Sequence, residues 1–142
     1  KPATCGLTLT TPTVVTIGLV DAGWTWTSSP LLDTPEYTPA TLIGGIVNAA
    51  LPCQVAVDFS IDFSVGTNRL LTFTLYVDGV ATPWALSQQG SGATNPDSVA
   101  FSAIVTSGAS APTFQIRAKA DAAGTSVTLS NGVLLTRFLL QR

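Results

Sequence analysis

Histidine is absent from this chain, and so is methionine. Without histidine the Ser-His-Asp and Cys-His nucleophile arrangements cannot be built in their usual forms, and the commonest transition-metal ligand is missing. Charge is scarce as well: 10% of residues are charged and 46% hydrophobic, where about 25% charged is usual. A chain this apolar is not disordered. It is also poor in the surface charge that keeps a monomer apart from its neighbours, so much of its surface is expected to lie against other protein. The six cations (Lys1, Arg69, Arg117, Lys119, Arg137 and Arg142) are scattered, and the net charge is −2. They form no stripe that would track phosphates, which argues against a nucleic-acid partner. No apolar run approaches the ~20 residues that span a bilayer, so no membrane partner is expected. The start lacks the basic-then-apolar order of a signal peptide and has no Met, which points to a processed or trimmed N-terminus.

Recognisable chemistry is equally sparse. Cys5 and Cys53 match no zinc or redox spacing, and three readings stay open: one disulfide, a bond between chains, or two small buried hydrophobes. No dinucleotide, phosphate-loop or nucleophile-elbow pattern appears, and Gly90-Ser91-Gly92 reads as loop. None of the four asparagines begins an N-glycosylation sequon. Asp58 and Asp62 share a strand face, but four residues of strand separate them by about 13 Å, too far for one acid/base pair or one cation. Asp33, Glu36, Asp97 and Asp121 could offer carboxylates to calcium, yet no spaced oxygen-ligand loop is present, and turn or strand-face roles fit them better. No cofactor, metal or catalytic residue is therefore expected, and the chain reads as a non-enzyme.

What the sequence does have is alternation of period 2, the signature of half-buried strands. In VDFSIDFSV, Val57, Phe59, Ile61, Phe63 and Val65 point one way and Asp58, Ser60, Asp62 and Ser64 the other. LLTFTLYV places Leu71, Phe73, Leu75 and Val77 on a core face, with Tyr76 opposite. Asp78-Gly79 then predicts a type I′ hairpin into VATPWAL, where Pro83 marks an edge or a bulge. SVAFSAIV and TFQIRAK alternate likewise. TSVTLS and VLLTRFLL close the chain around Asn131-Gly132. Upstream, TVVTIGLV reads as a strand, and GWTWTSSPLLDTPEYTP as loop with a short strand at Trp24–Trp26. Eight or nine strands with turns make a single all-β domain, an antiparallel sandwich. Residues 1–38 read as an N-terminal arm with the first strands, contacting neighbouring subunits, and 39–142 as the body of the domain.

The last stretch is apolar on both faces: Val133, Leu135 and Leu139 on one, Leu134, Phe138 and Leu140 on the other. A terminal strand normally has one wet face. Either this strand is enclosed in its own core, or its second face meets another chain. Arg137 inside it needs an acidic partner or solvent, and Asp58 or Asp62, across strands or subunits, is the expected partner. Trp24 and Trp26 lie on one side of an extended segment. They either cap the open end of the sandwich or form an aromatic shelf for a partner.

From Asn48 onward the runs QVAVDFSIDFSV, LTFTLYVDGV, SVAFSAIV and TFQIRAKADAAGTSVTLSNGVLLTRFL resemble the tumour-necrosis-factor-like jelly roll as phage structural proteins use it. Asp78 stands where that pattern commonly has Asn, and Gly132 where it has Ala. The resemblance covers about two-thirds of the chain and implies a homotrimer around a threefold axis, with Leu134, Phe138, Leu140 and Tyr76 at the interface. It further implies a virion protein on the capsid surface that decorates or cements the major capsid protein lattice. Trp24, Trp26, Leu31 and Leu32 would then be the partner-binding anchors of the arm. The alternative is the receptor- or glycan-binding knob of a tail or head fibre, reading its target through loops Gln88–Asn95 and Ser107–Pro112.

Overall fold

The computed structural model describes residues 2–139. Among these residues, eleven strands form two antiparallel sheets packed face to face. The first (sheet A) has the order β3-β1-β11-β6-β9, with β2 also pairing β11; the second (sheet B) has the order β4-β5-β10-β7-β8. Their ranges are β1 Thr4–Leu9, β2 Thr13–Ile17, β3 Ser28–Leu32, β4 Tyr37–Thr41, β5 Ile46–Ala49 and β6 Cys53–Val65. The remaining five are β7 Leu70–Val77, β8 Val80–Gln89, β9 Gly92–Ser107, β10 Thr113–Ala120 and β11 Thr125–Phe138. Alternation dictates the packing. Every odd residue of β6 from Cys53 to Val65 is buried and every even one half-buried, so one face closes the core and the Asp/Ser face stays outside.

Two Xaa-Gly pairs behave differently. Asp78 (φ 54°) and Gly79 (φ 76°) both take positive φ, as a type I′ turn requires. The Asp78 carboxylate also accepts from the Thr113 backbone N–H (2.9 Å) and from Ser107 Oγ (2.6 Å), tying this hairpin to the β9–β10 connection. Asn131-Gly132, expected to close a turn between two segments, instead lies inside one continuous strand. The register against β6 shifts between Ser130 and Val133, and Asn131 has φ 49°. This is a β-bulge: two residues stand opposite one on the partner strand. It reverses the parity of β11. Thr125, Val127 and Leu129 point inward before it, and Leu134, Thr136 and Phe138 after it. Gly132 is needed there because an added Cβ would lie 3.1 Å from Leu9 Cβ and 3.2 Å from the Trp26 ring.

The first strands are built into the sandwich. β1 lies in sheet A between β11 and β3, in register from Thr4↔Arg137 to Leu9↔Gly132. The segment after β2 then crosses to sheet B, where Ala22 and Ala118 exchange backbone hydrogen bonds. It brings Trp24 and Trp26 into the sandwich, 5% and 2% exposed, stacked at 5.4 Å. Trp24 meets Phe73 edge-on and Phe59 at a tilt. The expected short strand at these tryptophans is absent. The strands not expected from the sequence are β1, β3 and β4, the last two starting within the Pro/Thr-rich stretch, and β5 after it.

Candidate functional site

Within the core, the buried Thr136 hydroxyl is hydrogen-bonded to the Tyr37 hydroxyl (2.8 Å) and to the Cys5 carbonyl (3.2 Å). Cys5 and Cys53 are both free buried thiols, so the reading as small hydrophobes is the one the structure adopts. Burial pushes the Cys5 thiol and the Tyr37 hydroxyl up from their ordinary values, and the Cys53 thiol from 9.0 up to about 11. A thiol titrating higher in the folded chain than in the unfolded one supports folding fully below the unfolded value. That support is lost as pH rises through the folded value. Stability should therefore hold steady through neutral pH and fall between pH 9 and 11. Denaturant midpoints across this range would show it, and Cys53→Ser would flatten part of the fall. Iodoacetamide at pH 8 should leave both thiols unmodified until the chain is unfolded, because the buried thiols hold almost no thiolate.

The outer face of sheet A is a surface that no other strand covers among the described residues. Its rows follow from the registers. Leu31, Gly6, Leu135, Asp58 and Ser102 stand side by side; Val133, Ser60 and Ala100 form the next row; Arg137, Ala56 and Ile104 the one after. Leu31 is 49% exposed, Val133 41% and Ile104 59%, and the residues between them are small. Gly6 leaves room for Leu135, whose Cδ1 would lie 3.4 Å from a Cβ at that position. A groove of about 440 Å³ runs between Trp84, Ile104, Ala56, Asp58 and Arg137.

This face corrects the expected interface residues. Leu134 and Phe138 are 0% and 1% exposed inside their own sandwich, Phe138 against Tyr37 at 5.1 Å, so they have no surface to offer a neighbour. The bulge turned the other set outward: Val133, Leu135 and Leu139 hold the positions expected of Leu134, Phe138 and Leu140. Leu140 itself lies outside the described residues. Tyr76 is on the outer face of sheet B, away from this surface. Trp24 and Trp26 are core residues and not a shelf, whereas Leu31 and Leu32 are exposed on edge strand β3. Arg137 has no ion-pair partner among the described residues. Asp58 is occupied by Ser102 Oγ, and Asp62 by Ser98 Oγ (2.6 Å) and Asn131 Nδ2 (2.9 Å), so the expected pairing is not made within the protomer.

Sheet B presents a different surface. Gln115, Arg117 and Lys119 of β10 face outward beside Thr72, Thr74 and Tyr76 of β7. Tyr76 donates its hydroxyl hydrogen bond to Asp21 Oδ2, and the Arg117 guanidinium lies 4.1 Å above the Tyr76 ring. The hydrogen bond to Asp21, then burial, raises the Tyr76 hydroxyl above its ordinary value, with Arg117 opposing. Sequence reasoning did not find this cluster, because Asp21 and Tyr76 are 55 positions apart.

No family model matches the chain, and no curated protein matches its sequence. Solved structures do resemble it. The TNF protein Eiger of S. frugiperda superposes with a TM-score of 0.70 at 14% identity, over 99% of this chain and 94% of that one. The globular domain of zebrafish complement 1qA protein gives 0.70 at 9% identity, covering 100% of both chains. Murine APRIL gives 0.66 at 12% identity, over 98% of this chain and 100% of that one. Likeness at these identities speaks to architecture alone: the chain has the TNF- and C1q-like jelly roll.

Proposed function

We propose that the chain is a non-catalytic structural protein of a phage virion: a homotrimer that decorates or cements the capsid surface by binding the major capsid protein lattice. The observation that carries this reading is the uncovered outer face of sheet A. Leucine, valine and isoleucine stand there among alanine, serine and glycine, in a chain with only 10% charged residues. A second copy suits this face. Its apolar rows need an apolar neighbour, and the Arg137 and Asp58 that line one groove without pairing can find counter-charges on an adjoining copy. Edge-to-face contact between copies is heterologous and closes only as a ring, and the jelly-roll resemblance favours a ring of three. A trimer seated on a threefold lattice position gains avidity from three weak contacts acting together.

A second reading is the receptor- or glycan-binding knob of a tail or head fibre. The ordered polar cluster on sheet B favours it. The two readings separate in one experiment. On the decoration reading the purified chain co-sediments with tail-less capsids and raises their resistance to heat. A chain that ignores capsids but binds host cells or their glycans would replace that reading with the knob.

A further inference from the structure

The arginine on sheet B is held in a way that a solvated surface arginine is not. Gln115 Nε2 donates to the Gly44 carbonyl (2.8 Å), which fixes the amide. Its Oε1 then accepts from Arg117 Nε (2.6 Å). The guanidinium plane is supported from below by the Tyr76 ring at 4.1 Å, and that ring is pinned by its hydrogen bond to Asp21. Thr74, directly opposite Arg117 in the register, is buried beneath it. Three segments distant in sequence thus orient one side chain. Its Nε is used, and no carboxylate stands in ion-pair range of it among the described residues. Lys119, two residues further along the same face of β10, is exposed and forms no ion pair among the described residues either.

We propose that Arg117 and Lys119 form a recognition site for carboxylates, and that its occupant is an extended acidic segment of a partner protein. Orienting a guanidinium in advance removes much of the side-chain entropy lost on binding, and its planar fork matches a carboxylate with two parallel hydrogen bonds. The spacing selects the segment. Alternate residues of a strand lie about 6.6 Å apart on one face. A partner of the form acid-any-acid, laid along β10, therefore brings one carboxylate to Arg117 and the next to Lys119. The Asp21 carboxylate beside Tyr76 disfavours a polyanion spread across the whole face, which argues for a discrete pair of carboxylates over a phosphate chain. This site stands on sheet B and does not depend on what covers sheet A.

The test is fluorescence anisotropy with a labelled Glu-Ser-Glu-Ser-Glu peptide at two salt concentrations, with Gln-Ser-Gln-Ser-Gln as the neutral counterpart. Arg117→Lys keeps the charge and removes the fork; Lys119→Gln removes the second cation; Arg69→Lys, in the β6–β7 connection, is the control. The acidic peptide should bind in a salt-dependent manner and the neutral one should not. Arg117→Lys should weaken binding about tenfold or more, Lys119→Gln less, and Arg69→Lys not at all, with thermal unfolding unchanged throughout. Absence of binding, equal binding of the neutral peptide, or wild-type affinity in Arg117→Lys overturns the proposal. Each of these outcomes leaves capsid co-sedimentation to be judged separately.

Discussion

If the protein is the proposed trimer, its native mass should lie near three times 14.6 kDa, and Val133→Asp should turn it into a folded monomer. Val133 is 41% exposed in the protomer, beside Thr8 and Ser60 in the registers, so an aspartate there is solvated and the isolated fold tolerates it. In a trimer closed through this face, the same carboxylate is buried without a partner at each of three contacts. An unpaired buried charge costs about 3–5 kcal/mol, which over three contacts exceeds what holds a typical assembly at micromolar concentration. Light scattering with size exclusion reads the mass, and circular dichroism confirms that the monomer is folded. Leu134→Asp makes the contrasting variant: it places the charge in the protomer's own core, and it should fail to fold at all. A Val133→Asp protein that remains trimeric would exclude this face from the interface.

Phe73→Ala should be the most destabilising single truncation in the core. The ring is 0% exposed and central to an aromatic cluster: Trp24 at 6.1 Å, Phe59 at 5.8 Å and Phe63 at 5.7 Å. Truncating a buried phenylalanine costs about 3–5 kcal/mol, and the lost aromatic pairs add to it. For a domain of this size that is roughly 10–20 °C in melting temperature. Phe101 gives the comparison. It is half-buried and meets Phe59 at 5.4 Å from the edge of the cluster, so Phe101→Ala should cost clearly less. Both belong in the Val133→Asp background, where unfolding is not linked to subunit concentration. Equal losses at the two positions would mean that the cluster has no centre and that the core is not organised around Phe73.

The strands that sequence reasoning found most clearly are those whose outer face is mostly polar. β6 and β10 alternate because Asp, Ser, Gln, Thr, Arg and Lys occupy all outward positions but Ala56, and local pattern sets their faces. The strands it missed depend on partners far away in the chain. TCGLTL becomes β1 because β11 and β3 flank it. The Pro- and Thr-rich stretch contributes β3 and β4 because the sheet edges recruit it, against a composition that reads as loop. The interface assignment failed because the last stretch is apolar on both faces, so its pattern does not say whether Leu134 and Phe138 or Val133 and Leu135 turn inward; the bulge at Asn131-Gly132 sets that phase. Trp24 and Trp26 became core residues through a crossing between sheets and through the space at Gly45 and Gly132, which no local pattern encodes. The Asp21–Tyr76–Arg117 cluster was invisible for the same reason.

The pairing of β1 with β11 has a mechanical consequence. Because the two strands are antiparallel and Thr4 stands opposite Arg137, a tensile load applied between those residues acts on one end of the ladder. It opens the pairs in sequence, Thr4–Arg137, then Cys5–Thr136, then Gly6–Leu135, each rupture concentrating force on the next. Strands pulled from opposite ends would resist in shear, with every hydrogen bond sharing the load. The jelly roll is therefore soft along its own end-to-end axis, however stable it is to heat. A neighbour that clamps β1 against β11 across the outer face of sheet A would convert that zipper into a joint that must be broken all at once.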